Sequence, residues 1–220
     1  MPFFFRFIVI VLLTGISIET RAETAPLPPE LKAFLSRPDQ QKAIAGLMNR
    51  HWQSFLPECT TPELKQTNVI ITQPPSFGPN GAPTAGMWRV VGHVEGCEKS
   101  SVFTVMYAFG PDGRMARFGL LPGTTIADYR LQRDAIAYAT MAMSKIAPEG
   151  CKDIHYIDTK FIDFGEVSPA TIPNKERRSW TEEWTVRACG VTGLVTMHFI
   201  PDTTGTSITT SPDQTRQITP

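Results

Sequence analysis

In Trp180-Thr181-Glu182-Glu183-Trp184, a carboxylate alternates with two indoles. Successive strand residues point to opposite faces, so Trp180, Glu182 and Trp184 would share one. A carboxyl group desolvated among aromatic rings shifts its pKa. Such an acid could serve glycoside chemistry, with the indole faces stacking on sugar rings. The plainer reading, favoured by the residue types, is a structural carboxylate paired with Arg89 or Arg187.

The histidines offer less. His51 lies on the apolar side of a helical pattern, as either a buried general base or a hydrogen-bonded core histidine. His93 and His198 fall on the polar faces of their strands and could meet if two halves of the chain pack face to face. His155 lies three residues before Asp158, within the series Asp153, Asp158, Asp163. No two histidines share metal-ligand spacing, and G-x-S-x-G, phosphate-loop, H-E-x-x-H and dinucleotide motifs are absent. The sequence therefore names no catalytic residue, metal site or cofactor. Its candidate binding residues are Trp180, Glu182, Trp184 and His93.

The elements that must carry these residues repeat. Cys59 and Cys97 are 38 residues apart, as are Cys151 and Cys189, at a shift of 92. The same shift maps Trp88 onto Trp180, Gln40 onto Gln132, Val94 onto Val186 and Ala43-Ile44-Ala45 onto Ala135-Ile136-Ala137. Past the second cysteine the shift falls to 90, aligning Phe109 and Pro111-Asp112 with Phe199 and Pro201-Asp202. The chain reads as a tandem duplication, about 28–119 and 124–210. Four cysteines allow three pairings. A bridge for each repeat selects Cys59–Cys97 and Cys151–Cys189, in preference to a four-cysteine metal site, for which no C-x-x-C pair is present.

Within each repeat, a helical pattern precedes about four strands. Residues 23–35 read as a proline-stiffened lead-in, and Ser36 with Asp39 as a helix start. Ile44, Leu47, Met48, His51, Trp52 and Phe55 then mark one helix face, ended by Pro57. Asp128 caps the second helix, to about Ala147, whose apolar 135–147 stretch suggests cover on two sides. Strands are expected at 68–73, 87–97, 102–109 and 114–120, then at 160–167, 179–189, 194–200 and 206–210. Cys97 and Cys189 fall on the polar parity of their strands, a tension that a bulge at Gly96 would relieve only for the first. The loop 74–86 is turn-rich, whereas 168–179 carries Lys175-Glu176-Arg177-Arg178. The expected fold is α+β, two helix-plus-four-stranded-sheet units packed as one pseudo-twofold body, with segments 23–122 and 123–210 and a flexible tail at 211–220. This order of helix and strands resembles cystatin-like inhibitors in outline, without their inhibitory loop sequence. The resemblance implies an exposed turn such as 74–86 entering a protease.

Residues 1–22 look like a secretory leader, with Arg6, an apolar run from Phe7 to Ile16, and small residues before the expected cleavage after Ala22. Removing Arg6, Arg21 and Glu19 from 21 basic and 21 acidic residues leaves 19 and 20. That balance gives no electrostatic footprint for nucleic acid, and no later stretch is long enough to span a bilayer. These observations suggest a periplasmic or secreted, non-catalytic binding or accessory protein of a bacterial envelope. Its partner would be an envelope protein or a small apolar or sugar ligand, bound at a groove between the repeats. A periplasmic or secreted hydrolase and a protease-inhibitor-like module are the alternatives.

Overall fold

The computed structural model describes residues 26–167, 178–203, 205–210 and 212–218. Residues 1–22, expected to be a leader, and the Lys175-Glu176-Arg177 part of the charged loop lie outside them. Among the described residues, three α-helices and two antiparallel sheets form two similar units.

Pro29 opens helix α1 (Pro29–Leu35), whose Leu31, Phe34 and Leu35 are buried. The lead-in is thus helical over Pro29–Leu35, because proline at a first helical position loses no intrahelical bond. Ser36 ends α1, its Oγ donating to the Lys32 carbonyl at 2.8 Å, and helix α2 (Pro38–Phe55) starts on a second proline. Ile44, Met48 and Trp52 of α2 pack on Trp88, Val90 and Val94. Those three lie on strand β2 (Pro83–Gly96), between β1 (Glu63–Phe77) and β3 (Lys99–Phe109); β4 (Met115–Gly119) completes the sheet. Most of the expected 74–86 loop is strand. Pro74 and Pro75 sit where the β1–β2 register slips, and bulges accommodate a residue that cannot donate to the ladder.

In the second unit, Asp128 caps helix α3 (Tyr129–Met143), accepting from the amides of Arg130 at 2.9 Å and Leu131 at 3.0 Å. Ala135, Ala139, Ala142 and Met143 are buried in a core with Trp184, Val186, Val195, Met197 and Phe199. These come from the sheet β5 (Ile154–Val167), β6 (Arg178–Ala188), β7 (Val191–Pro201) and β8 (Thr206–Thr210). Helix α3 packs on its own sheet and, at Tyr129, against Phe118 of the first unit, while its outer side is open. Its alanines let the backbone approach the sheet, leaving Tyr138 39% and Met141 57% exposed on the outside.

Both expected disulfides form, Cys59–Cys97 and Cys151–Cys189. Strand parity does not apply to Cys97 and Cys189, because both occupy hairpin turns. Cys97 and Glu98 have φ of 48° and 62°, and Cys189 and Gly190 have 47° and 83°. Two successive positive φ values match the turn that suits strand twist, and they swing each thiol towards its partner. Two disulfides, one per unit, fit a small protein of an extracellular or periplasmic compartment. No helix among the described residues is long and apolar enough to cross a membrane.

The units join through residues 120–127. The amides of Leu120 and Gly123 donate to Thr104 and Val102 at 2.9 Å each, extending the β4 side of β3. The Thr124 amide then donates to the Thr159 carbonyl on β5, and Thr159 Oγ1 donates to the Pro122 carbonyl. Helix α2 lies against β5, and Arg187 Nη2 donates to the Ser54 carbonyl, so unlike elements of the two units meet. Within the segment expected to be a flexible tail, strand β9 (Arg216–Ile218) pairs with Thr192, Gly193 and Leu194 of β7. At the shift of 90, residues 192 and 194 correspond to Val102 and Thr104. In the second unit β9 therefore occupies the place that the linker occupies on β3.

Candidate functional site

Trp180, Glu182 and Trp184 come together as parity requires. Glu182 is fully buried, and its carboxylate accepts three N–H bonds: Trp180 Nε1 at 2.9 Å, Trp184 Nε1 at 2.8 Å and the Ile126 amide at 3.1 Å. Neither arginine expected to pair with it does so: Arg187 reaches the Ser54 carbonyl instead, and Arg89 lies in the other sheet. The partners lie two residues away on the same strand and in the linker, so Glu182 ties the junction to the second sheet. A buried carboxylate whose oxygens are filled by fixed donors is a structural anchor. Trp184 is fully buried, and Trp180 stacks on Phe199 at 4.8 Å, so their ring faces are already packed.

His93 does not join this cluster. It is exposed on β2 in the first unit, opposite Val102 of β3. His198, which could have faced it, bonds Thr181 Oγ1 at 3.2 Å in the second sheet. His155 is bonded to Asp153 at 2.8 Å. His51 stacks against Phe55 and Phe103, with Nε2 2.9 Å from Ser101 Oγ. Burial lowers its pKa from 6.5 to about 4. A base this weak takes a hydroxyl proton poorly at neutral pH, and Ser101 is only 9% exposed, so the contact is better suited to packing than to nucleophile activation. No group of three His, Cys, Asp or Glu side chains among the described residues could hold a metal ion.

One concave surface lies at the seam. A groove of about 380 Å³ runs between β4, the linker and the first half of α3, lined by Phe118, Leu120, Leu121, Tyr129, Arg133 and Ile136. Phe118 comes from the first unit and packs against Tyr129 of the second, with ring centroids 5.9 Å apart. Gln132 forms the floor. It is buried, its Oε1 accepting from the Leu121 amide at 3.0 Å and its Nε2 donating to the Ala127 carbonyl at 2.9 Å, which fixes the linker wall. The walls are apolar, with the Arg133 guanidinium, paired to Asp134, at the rim. A second cavity of about 280 Å³ lies at the end of α3, between Met143, Pro148, Ile154 and the Cys151–Cys189 bridge.

A groove between the repeats was expected from the duplication, but its residues were not identified. One signal was available: Tyr129, Arg133 and Ile136 recur at steps of four and three along α3, beside the stripe that faces its own sheet. No protein-family model matches the chain, and no curated protein or solved structure matches it.

Proposed function

We propose that the protein is an exported, non-catalytic binding or accessory protein of a bacterial envelope, taking an apolar segment of a partner in the seam groove. The observation that carries this reading is the groove itself. Both units contribute to its walls, a buried glutamine holds its floor rigid, and its volume falls in the range of binding clefts. The paired cysteines and residues 1–22 support export and an oxidising destination. The packed rings of Trp180 and Trp184 and the filled oxygens of Glu182 draw support away from sugar binding and acid catalysis at that cluster. They remain the second unit's anchor for the linker wall of the groove.

The test is a photo-crosslinking amino acid placed in cells at Phe118 or Tyr129, and at Gln53 as an exposed control outside the groove. The expected result is one dominant adduct from the two groove positions, none from Gln53, and loss of that adduct in Ile136→Trp, which fills the groove. Adducts distributed equally over all three positions, or unaffected by Ile136→Trp, would overturn the proposal.

A further inference from the structure

The duplication makes a comparison possible between two equivalent sheet edges, one occupied and one open. On β5 the occupied stretch centres on Thr159, which is fully buried. Its carbonyl accepts the Thr124 amide, its Oγ1 accepts from the Thr125 amide at 3.3 Å, and the Phe161 amide donates to Thr124 Oγ1 at 3.3 Å. The Thr159 carbonyl and the Phe161 amide are outward backbone groups of an edge strand, and the linker satisfies them.

The equivalent of Thr159 at the shift of 92 is Thr67 on β1, and that of Ile162 is Ile70. The register is the same in both sheets: Thr159 stands opposite Trp184, and Thr67 opposite Gly92, each again 92 apart. The Thr67 carbonyl and the Val69 amide therefore point away from β2, as the corresponding groups of β5 point towards the linker. Strand β1 is the first strand of its sheet and, among the described residues, pairs only with β2. Thr67 is exposed, and Leu64, Ile70 and Ile71 on the same strand are 37%, 44% and 36% exposed. A long edge strand with open backbone groups and exposed apolar side chains is a template for strand addition.

The molecule also carries a segment in the linker's place. On β3 the linker bonds residues 102 and 104, and its Pro122 carbonyl accepts from Thr159 Oγ1 of β5; on β7 the strand beside the equivalent residues 192–194 is β9. We propose that the open edge of β1 around Thr67 accepts the β9 side of a second copy of this chain, repeating between molecules the junction that joins the two units within one. The contact is head-to-tail, each molecule presenting β1 at one end and β9 at the other. Such a heterologous contact builds an open series or a ring rather than a closed two-fold dimer.

The full chain is expressed with its own leader, purified in the form the cell leaves it, and followed by sedimentation velocity over a concentration series. Species beyond the dimer are expected as concentration rises. In a mixture of unlabelled and 15N-labelled protein, a photo-crosslinking residue at Thr67 is expected to give mixed-isotope adducts at residues 212–218. Val69→Pro removes the outward amide without breaking a β1–β2 bond, and its association should be roughly tenfold weaker. Thr67→Lys places a charge on the same edge and should act in the same direction if the proline variant folds poorly. A monomer at every concentration overturns the proposal, as do adducts joining β1 to β1, or adducts to a different protein at this edge.

Discussion

His51 is a residue whose environment has set its chemistry. Its ring is packed against Phe55 and Phe103, and burial lowers its pKa to about 4 from an ordinary 6.5. Between those values the unfolded chain binds a proton that the folded chain refuses, so stability rises with pH across that window. The contribution is complete above pH 6.5, falls as the pH drops towards 4, and changes little below it. Its full size is ~3 kcal/mol, from the size of the shift. Urea unfolding at pH 7.5, 5.5 and 4 should show wild type losing more stability than His51→Phe, which keeps the aromatic contacts and cannot titrate. Equal losses in the two proteins would remove His51 from the acid response. Glu182 shows how far residue-level reading reaches. Its burial was legible from strand parity. Its partners were not, because one of its three donors is a linker amide brought there only by the tertiary fold.

At the level of elements, the legible features are those fixed by covalent spacing or by a local hydrogen bond. The repeated cysteine interval selected the bridges, and Asp128 declared the start of α3. Helix α1, the last residues of β1 and the first of β2 were missed for one reason: proline-rich segments read as loops, although proline is at home at a first helical position and at a bulge. The groove was legible only in kind, since its walls come from β4, the linker and α3, and no single periodicity spans them. The linker itself depends on one glycine. Gly123 has φ of +98°, and a Cβ there would collide with the backbone nitrogen and oxygen of Thr159 and with the Asp158 carboxylate. Gly123→Ala should therefore cost ~3 kcal/mol, combining a left-handed backbone with overpacking. Gly113→Ala is the control: φ is +70° there too, but nothing lies within 4 Å, and the cost should stay near ~1 kcal/mol. Thermal or urea unfolding of the two variants measures the difference, and equal costs would show that the linker is not packed as described.

At the scale of the molecule, the duplication has left two hydrophobic cores with no residue in common, one under α1 and α2 and one under α3. Each core has its own bridge between the segment after its helix and the turn of its central hairpin. The bridges lie across cores rather than across the seam, so each acts first on the unit that holds it. A closure of 38 residues stabilises by ~4 kcal/mol in the chain-entropy model, a large share of what a domain of about 100 residues has. Replacing Cys59 and Cys97 by serine should therefore reduce amide exchange protection in β2 and β3 while β6 and β7 keep most of theirs. Replacing Cys151 and Cys189 should reverse the pattern. The linker bonds to Thr104, Val102 and Thr159 couple the units, so protection near 120–127 should fall in both variants. Native-state hydrogen exchange resolves these segments separately. Equal loss of protection throughout both sheets from either replacement would mean that the seam, not the separate cores, sets the cooperative unit. The seam groove would then open only with the whole molecule. If protection divides as the cores divide, the groove lies between two units that loosen separately, and a ligand seated on Phe118 and Tyr129 together would raise the stability of both.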